Sequence, residues 1–219
     1  MNRYVELGPA ERIDSRPFAH PEHNAADVAA LAVMAARLRQ LVRECEAQGE
    51  TAPCQSYELS SPHGRRLRVV VSQPAALRGE QDLPVVGFFG HRRQAVPPDV
   101  VADKDAIDLE LIAEFPQHPG VLAYCSMALD DTNYGNLVVM AQPEVRDEWY
   151  TSARHAYASR VIAPSYYTSV RLHHGLLPGG LHSGRAPVLV RTKYYDFSTD
   201  WHWTAIRQYA DQQLDPKGL

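Results

Sequence analysis

The order of apolar and polar positions divides the chain into helical and extended stretches. Residues 25–48 carry Val28, Leu31, Met34 or Ala35, Leu38, Leu41 or Val42 and Cys45 at helical spacing. Asn24 is the expected N-cap, Asp27 suits the positive end of the helix dipole, and Gly49 ends the helix. The period then changes to two. Tyr57 to Leu59, the turn cluster Ser60 to Gly64, and the alternation of Arg66, Arg68 and Val70 with Leu67, Val69 and Val71 predict a β-hairpin.

Strand and helix patterns alternate over the next stretch. Residues 84–91 read as a buried strand with Val85, Gly87, Phe89 and His91 on one face. After a loop, Asp105 to Phe115 reads as a short amphipathic helix. Val121 to Leu129 and Asn136 to Ala141 read as strands joined by a turn at Asp130 to Asn133. Pro143 opens a helix over 143–160 and Pro164 stops it. Tyr166 to His174 is the next strand. Alternation sets Tyr167, Ser169, Arg171 and His173 on one face and Tyr166, Thr168, Val170, Leu172 and His174 on the other. Val188 to Phe197 adds a strand, and Asp200 to Leu214 is read as a closing helix.

The expected fold class is therefore α+β. Its core, about 84–175, follows the strand–helix–strand–strand–helix–strand order of a ferredoxin-like split βαβ unit with an antiparallel sheet. The N-terminal helix and hairpin and the C-terminal strand and helix are additions. Residues 1–24, polar and broken by Pro9, Pro17 and Pro21, are read as an extended arm, and 25–219 as one domain.

Composition narrows the function classes. A net charge of -4 gives no reason to expect nucleic acid or an anionic membrane as partner. The three cysteines, Cys45, Cys54 and Cys125, form no Cys-x-x-Cys pair, which fits a reducing cytoplasm. No leader pattern precedes residue 20, and no apolar run approaches the ~20 residues that span a bilayer. Glycine-rich nucleotide loops, His-Glu-x-x-His and Gly-x-Ser-x-Gly are absent from the sequence.

Candidate chemistry concentrates between Glu144 and Leu177. On the helix expected there, Trp149 faces the sheet, and Glu148, Ser152, His155 and Ser159 form a polar strip on the flank. His155 there suits a general base, a proton shuttle or a metal ligand; the plainer reading is a histidine bonded to Ser152 or Ser159. Arg171 suits a carboxylate or carbonyl oxygen of a substrate, or equally an ion pair with Glu148 or Asp196. His173 and His174, as strand neighbours, point to opposite faces. Tyr124, Tyr167, Phe89 and His91 are candidate pocket walls. His20 and His23, with Pro21 between them, read as surface residues, and Trp201, His202 and Trp203 as docking for the last helix.

Trp149, Ser152 and His155 form a Trp-x-x-Ser-x-x-His stretch behind the strand at 136–141. This resembles a stretch in antibiotic-biosynthesis-monooxygenase-like proteins of the dimeric α+β-barrel superfamily, over roughly residues 84–175. The resemblance implies a homodimer and an oxidative enzyme: a monooxygenase without a nucleotide cofactor, acting on a small apolar organic molecule between helix and sheet. His155 would be the acid/base, with Ser152 beside it, Arg171 would hold an oxyanion, and Trp149 and Tyr124 would line the pocket. Two other expectations stand beside it. One is a haem enzyme of the same superfamily, with His155, His173 or His91 on iron. The other is a non-catalytic dimeric ligand-binding module.

Overall fold

The structure, a computed structural model, describes residues 4–49, 55–130, 132–199 and 203–209. One nine-stranded mixed sheet runs through all of it, flanked by helices, so the fold is α+β. The elements are β1 (Val5–Leu7), α1 (His23–Ala47), the hairpin β2 (Gln55–Ser60) and β3 (Arg66–Val71), β4 (Leu83–Arg92) and α2 (Pro98–Ala113). They continue with β5 (Val121–Ala128), β6 (Tyr134–Met140), the short helices α3 (Val145–Tyr150), α4 (Ala153–Tyr157) and α5 (Ala163–Tyr166), then β7 (Tyr167–Leu177), β8 (Val188–Asp196) and β9 (Trp203–Gln208). The strand order is β1-β9-β8-β7-β4-β6-β5-β3-β2. Every pairing is antiparallel except β1 with β9.

The four strands expected as a core, β7-β4-β6-β5, lie side by side. They do not form a sheet of their own, because β3 pairs with β5 and β8 pairs with β7, which takes up both edges. Helix α1 covers one face. Leu31, Met34, Leu38 and Val42 pack on Leu67, Val69, Val85, Phe89, Cys125, Leu137 and Val139 in the largest apolar cluster. The helices after β4 and β6 cover the other face. Phe115, Trp149, Ile112 and Val145 meet Val70, Val138, Val86 and Tyr124 there, and Ile107, Ile162 and Tyr166 pack together beside them. A barrel dimer would need the first face free, and α1 of the same chain fills it.

Several elements depart from the expected pattern. Helix α1 begins at His23, with Glu22 in the cap position; Asn24 instead donates from Nδ2 to Tyr209 Oη at 2.8 Å. Helix α2 starts at Pro98, earlier than Asp105, because proline at the first turn loses no hydrogen bond. The helix expected over 143–160 is broken at Ser152, whose ψ of 131° is not helical and whose Oγ accepts from the His155 backbone N–H. Pro164 does not stop it. A π turn at Ala158–Ile162 precedes the proline, and α5 runs through it to Tyr166. The wider π turn accommodates a residue that cannot donate.

Residues 203–208, expected in the closing helix, form β9 between β8 and β1. Residues 200–202, with Trp201 and His202, and 210–219 lie outside the described residues, as does Cys54. The N-terminal arm, from residue 4 onward, is docked on the domain. Arg207 is fully buried and donates to the carbonyls of Gly8, Glu11 and Ala19 and to Tyr194 Oη. No described helix is long and apolar enough to cross a membrane.

Candidate functional site

The two faces of the central sheet differ in closure. On the α1 face Val85, Phe89, Cys125, Leu137 and Val139 are buried. On the opposite face their neighbours Val86, Phe88, Tyr124, Ser126, Asn136 and Leu172 stay half-exposed beneath the helices. The less tightly sealed side of the sheet is therefore the seam, or cleft, beneath α2 to α5. Its lining includes buried polar atoms with no partner among the described residues: Asn136 Oδ1, Trp149 Nε1, His155 Nδ1, His174 Nε2 and Arg191 Nε. Buried polar groups are nearly always satisfied, and each orphan costs about 1–3 kcal/mol.

Trp149 and His155 form the centre of this cleft. Their ring centroids are 5.0 Å apart, and Tyr150 also packs on His155, edge to face, at 4.7 Å. Trp149 also packs on Phe115, which in turn meets Tyr124. Burial lowers the His155 pKa, against a weaker opposing pull from Glu114, so the ring is neutral at neutral pH and able to accept a proton. Ser152 does not touch the His155 ring. It caps α4, accepting from the His155 backbone N–H at 3.3 Å, and donates to Glu114 Oε2 at 2.8 Å. Arg154 holds the other Glu114 oxygen. Ser152 thus fixes the turn that presents His155.

Tyr124 and Tyr167 stand on this same face, and both phenols are held protonated, chiefly by burial. Simple alternation places Tyr167 with Arg171. A bulge between His91 and Arg92 skips Thr168 in the β4–β7 register and turns the Tyr167 ring onto Phe88 and over Gly90.

Arg171, Phe89 and His173 lie on the α1 side, across the sheet from His155. Arg171 is an ion-pair residue, and its partner is neither Glu148 nor Asp196. It donates to Asp27 through Nε at 2.6 Å and Nη2 at 2.8 Å. His173 Nε2 meets Asp27 Oδ2 at 2.8 Å and its Nδ1 meets Thr192 Oγ1 at 2.7 Å. A carboxylate only accepts, so Nε2 carries the proton and Nδ1 accepts from Thr192. Thr192 in turn meets Tyr209 Oη at 2.8 Å. Burial lowers the His173 pKa despite Asp27, while burial of Asp27 is outweighed by bonds from His173 and Arg171 that hold its pKa down. The network holds Asp27⁻, Arg171⁺ and a neutral His173, sealed under the N-terminal half of α1.

Of the three histidines expected on haem iron, His173 fits least. His173 has both ring nitrogens engaged and is 1% exposed. His91 is exposed at the end of β4, and the His155 Nδ1 is buried without a partner beside the Trp149 and Tyr150 rings. Among the described residues no group of three or more His, Cys, Asp or Glu is placed to hold a metal ion.

Sequence reasoning missed the second half of the cleft. His174, 3% exposed, is directly opposite Arg191 on β8, and Lys193 and Tyr195 follow on the same face. Arg146 and Tyr150 of α3 lie within electrostatic reach of Arg191. Alternation within 188–196 was the available signal. No protein-family model, curated protein or solved structure matches the chain.

Proposed function

We propose that this protein binds a small, partly apolar organic molecule in the cleft between the sheet and α2 to α5, and acts on it by proton transfer through His155. One observation carries the reading: a neutral, buried imidazole with an unpartnered Nδ1 stands beside an unpartnered indole N–H, in the less tightly sealed of the two layers that flank the sheet. The indole N–H suits a substrate oxygen, and the imidazole suits the proton to be moved. Tyr124, Tyr167 and Phe88 supply aromatic walls. Ser152 is a positioning residue, and Arg171 belongs to the fold.

The finer reaction class comes from the resemblance of the Trp149, Ser152 and His155 stretch: monooxygenase-like oxidation of a small apolar organic molecule without a nucleotide cofactor. The antiparallel order β7-β4-β6-β5 supports assigning those strands to a ferredoxin-like unit. A homodimer, if formed, would use a surface other than the face α1 covers.

Oxygen uptake with a panel of phenols and enolisable ketones tests the reading. Uptake by the native protein should fall by about two to four powers of ten in His155→Ala and persist in Arg171→Lys. Equal uptake in His155→Ala would refute a role for His155. Panel compounds that bind without turnover would leave a ligand-binding module. A Soret band in the purified protein would reopen the haem reading.

A further inference from the structure

Beyond Tyr150, the cations of α3 and β8 outnumber the carboxylates beside them among the described residues. Arg191 and Lys193 on β8 have no ion pair among the described residues. Arg146 on α3 joins them; its Nε donates to Asp147 at 3.0 Å, but that carboxylate is 70% exposed. Burial, and then repulsion from Arg146, lowers the pKa of Arg191, while burial, Arg191 and Arg146 together lower that of Lys193. Lys193 Nζ otherwise rests 5.5 Å over the Tyr4 ring, and Tyr195 Oη meets Tyr4 Oη at 3.4 Å. Under them lies His174, almost fully buried, with Nε2 unpartnered. Folding has half-buried three positive side chains beside a histidine held neutral and beside three phenols. Like charges brought together out of water are destabilising unless something negative joins them.

We propose that Arg146, Arg191 and Lys193, with His174 beneath them and Tyr150 and Tyr195 beside them, form an oxyanion-binding site for the phosphate or carboxylate of a small organic ligand. Arginine forks match both groups, and a lysine adds a point charge. Among the described residues, Asp147 set against the three cations leaves a formal charge of +2, which matches a phosphate dianion or a pair of carboxylates. The site adjoins the His155 cleft through Tyr150, so it deepens the reading above by giving the ligand a charged end. It does not depend on turnover.

Calorimetric titration of the full chain with inorganic phosphate, and separately with acetate and succinate, tests the site. Saturable binding of at least one anion is expected, and the tightest anion identifies the group. Arg191→Gln and Lys193→Gln should each weaken it by about ten- to a hundredfold. Arg78→Gln, which removes a cation paired with Glu46 elsewhere, should leave it unchanged. In anion-free buffer the first two variants should melt at the same temperature as the native protein or higher, because repulsion is relieved. No saturable binding of any of the three anions overturns the proposal, as does binding that both variants leave intact. Lower melting of both variants without anion also overturns it, since the cations would then be structural. A His155→Ala protein that keeps its activity but loses nothing in anion binding would sink only the acid–base reading.

Discussion

Asp27 is the most informative single position for separating fold from function. Its carboxylate is 4% exposed and takes three hydrogen bonds, two from Arg171 at 2.6 and 2.8 Å and one from His173 at 2.8 Å. Asp27→Ala would leave the Arg171 guanidinium, with 16% of its side chain exposed, without a counter-charge and orphan the His173 Nε2–H. Breaking a buried pair from one side costs about 3–5 kcal/mol. For a chain of this size that lowers the melting temperature by about 6–20 °C. Urea and thermal unfolding of Asp27→Ala, Arg171→Met and the double variant Asp27→Leu/Arg171→Met complete the test. The double variant should lose less than the sum of the singles, because apolar side chains replace the whole pair. A loss below about 1 kcal/mol in Asp27→Ala would refute the structural assignment. So would an Arg171→Met protein of native stability that no longer binds ligand.

His155, His173 and His174 all have pKa values lowered by burial, His174 to about 2, from an ordinary 6.5. The unfolded chain therefore binds protons that the folded one refuses. Stability is complete above about pH 6.5 and falls as pH drops through that value, by up to about 1.4 kcal/mol per pH unit for each histidine; urea unfolding on either side of pH 6.5 should show it, and a flat profile would contradict it. Gly90→Ala would set a methyl 2.3 Å from the Tyr167 ring. It should cost about 1–3 kcal/mol and perturb ligand binding by moving Tyr167, whereas native stability and binding would show that the ring is free to shift. Arg207→Leu removes the anchor of the arm, so limited proteolysis should cut between residues 9 and 21 far faster than in the native protein, and unchanged protection would refute the anchoring role.

Much of the architecture was legible in local periodicity. The 3.6-residue stripe from Leu31 to Val42 and the alternation in β3, β4, β5 and β6 report burial on one face, and both survive in the fold. Failures came where a polar group replaced an apolar one inside the pattern. Arg207 occupies a buried position in β9, so residues 203–208 lack the alternation of a strand. Ser152 satisfies a cap inside a continuous helical pattern, and a π turn ahead of Pro164 cancels the usual stop signal. The site was half legible. Separation of His173 from His174 follows from strand geometry alone. That Arg171 would meet Asp27, 144 residues earlier in the chain, depends on which face α1 covers, and no local pattern carries that information.

The most direct test of the cleft is the indole N–H resonance of Trp149 in nitrogen-15-labelled protein, assigned through Trp149→Phe, during titration with benzoate. Benzoate pairs an apolar ring with a carboxylate, the two features proposed for a ligand of the cleft and its basic end. The Trp149 signal should move and saturate, with shifts spreading to backbone amides near His155, His174 and Arg191. A Trp149 signal that stays fixed while amides around Asp27 and Arg171 move, or a spectrum that does not change at all, would contradict a ligand site on this face of the sheet.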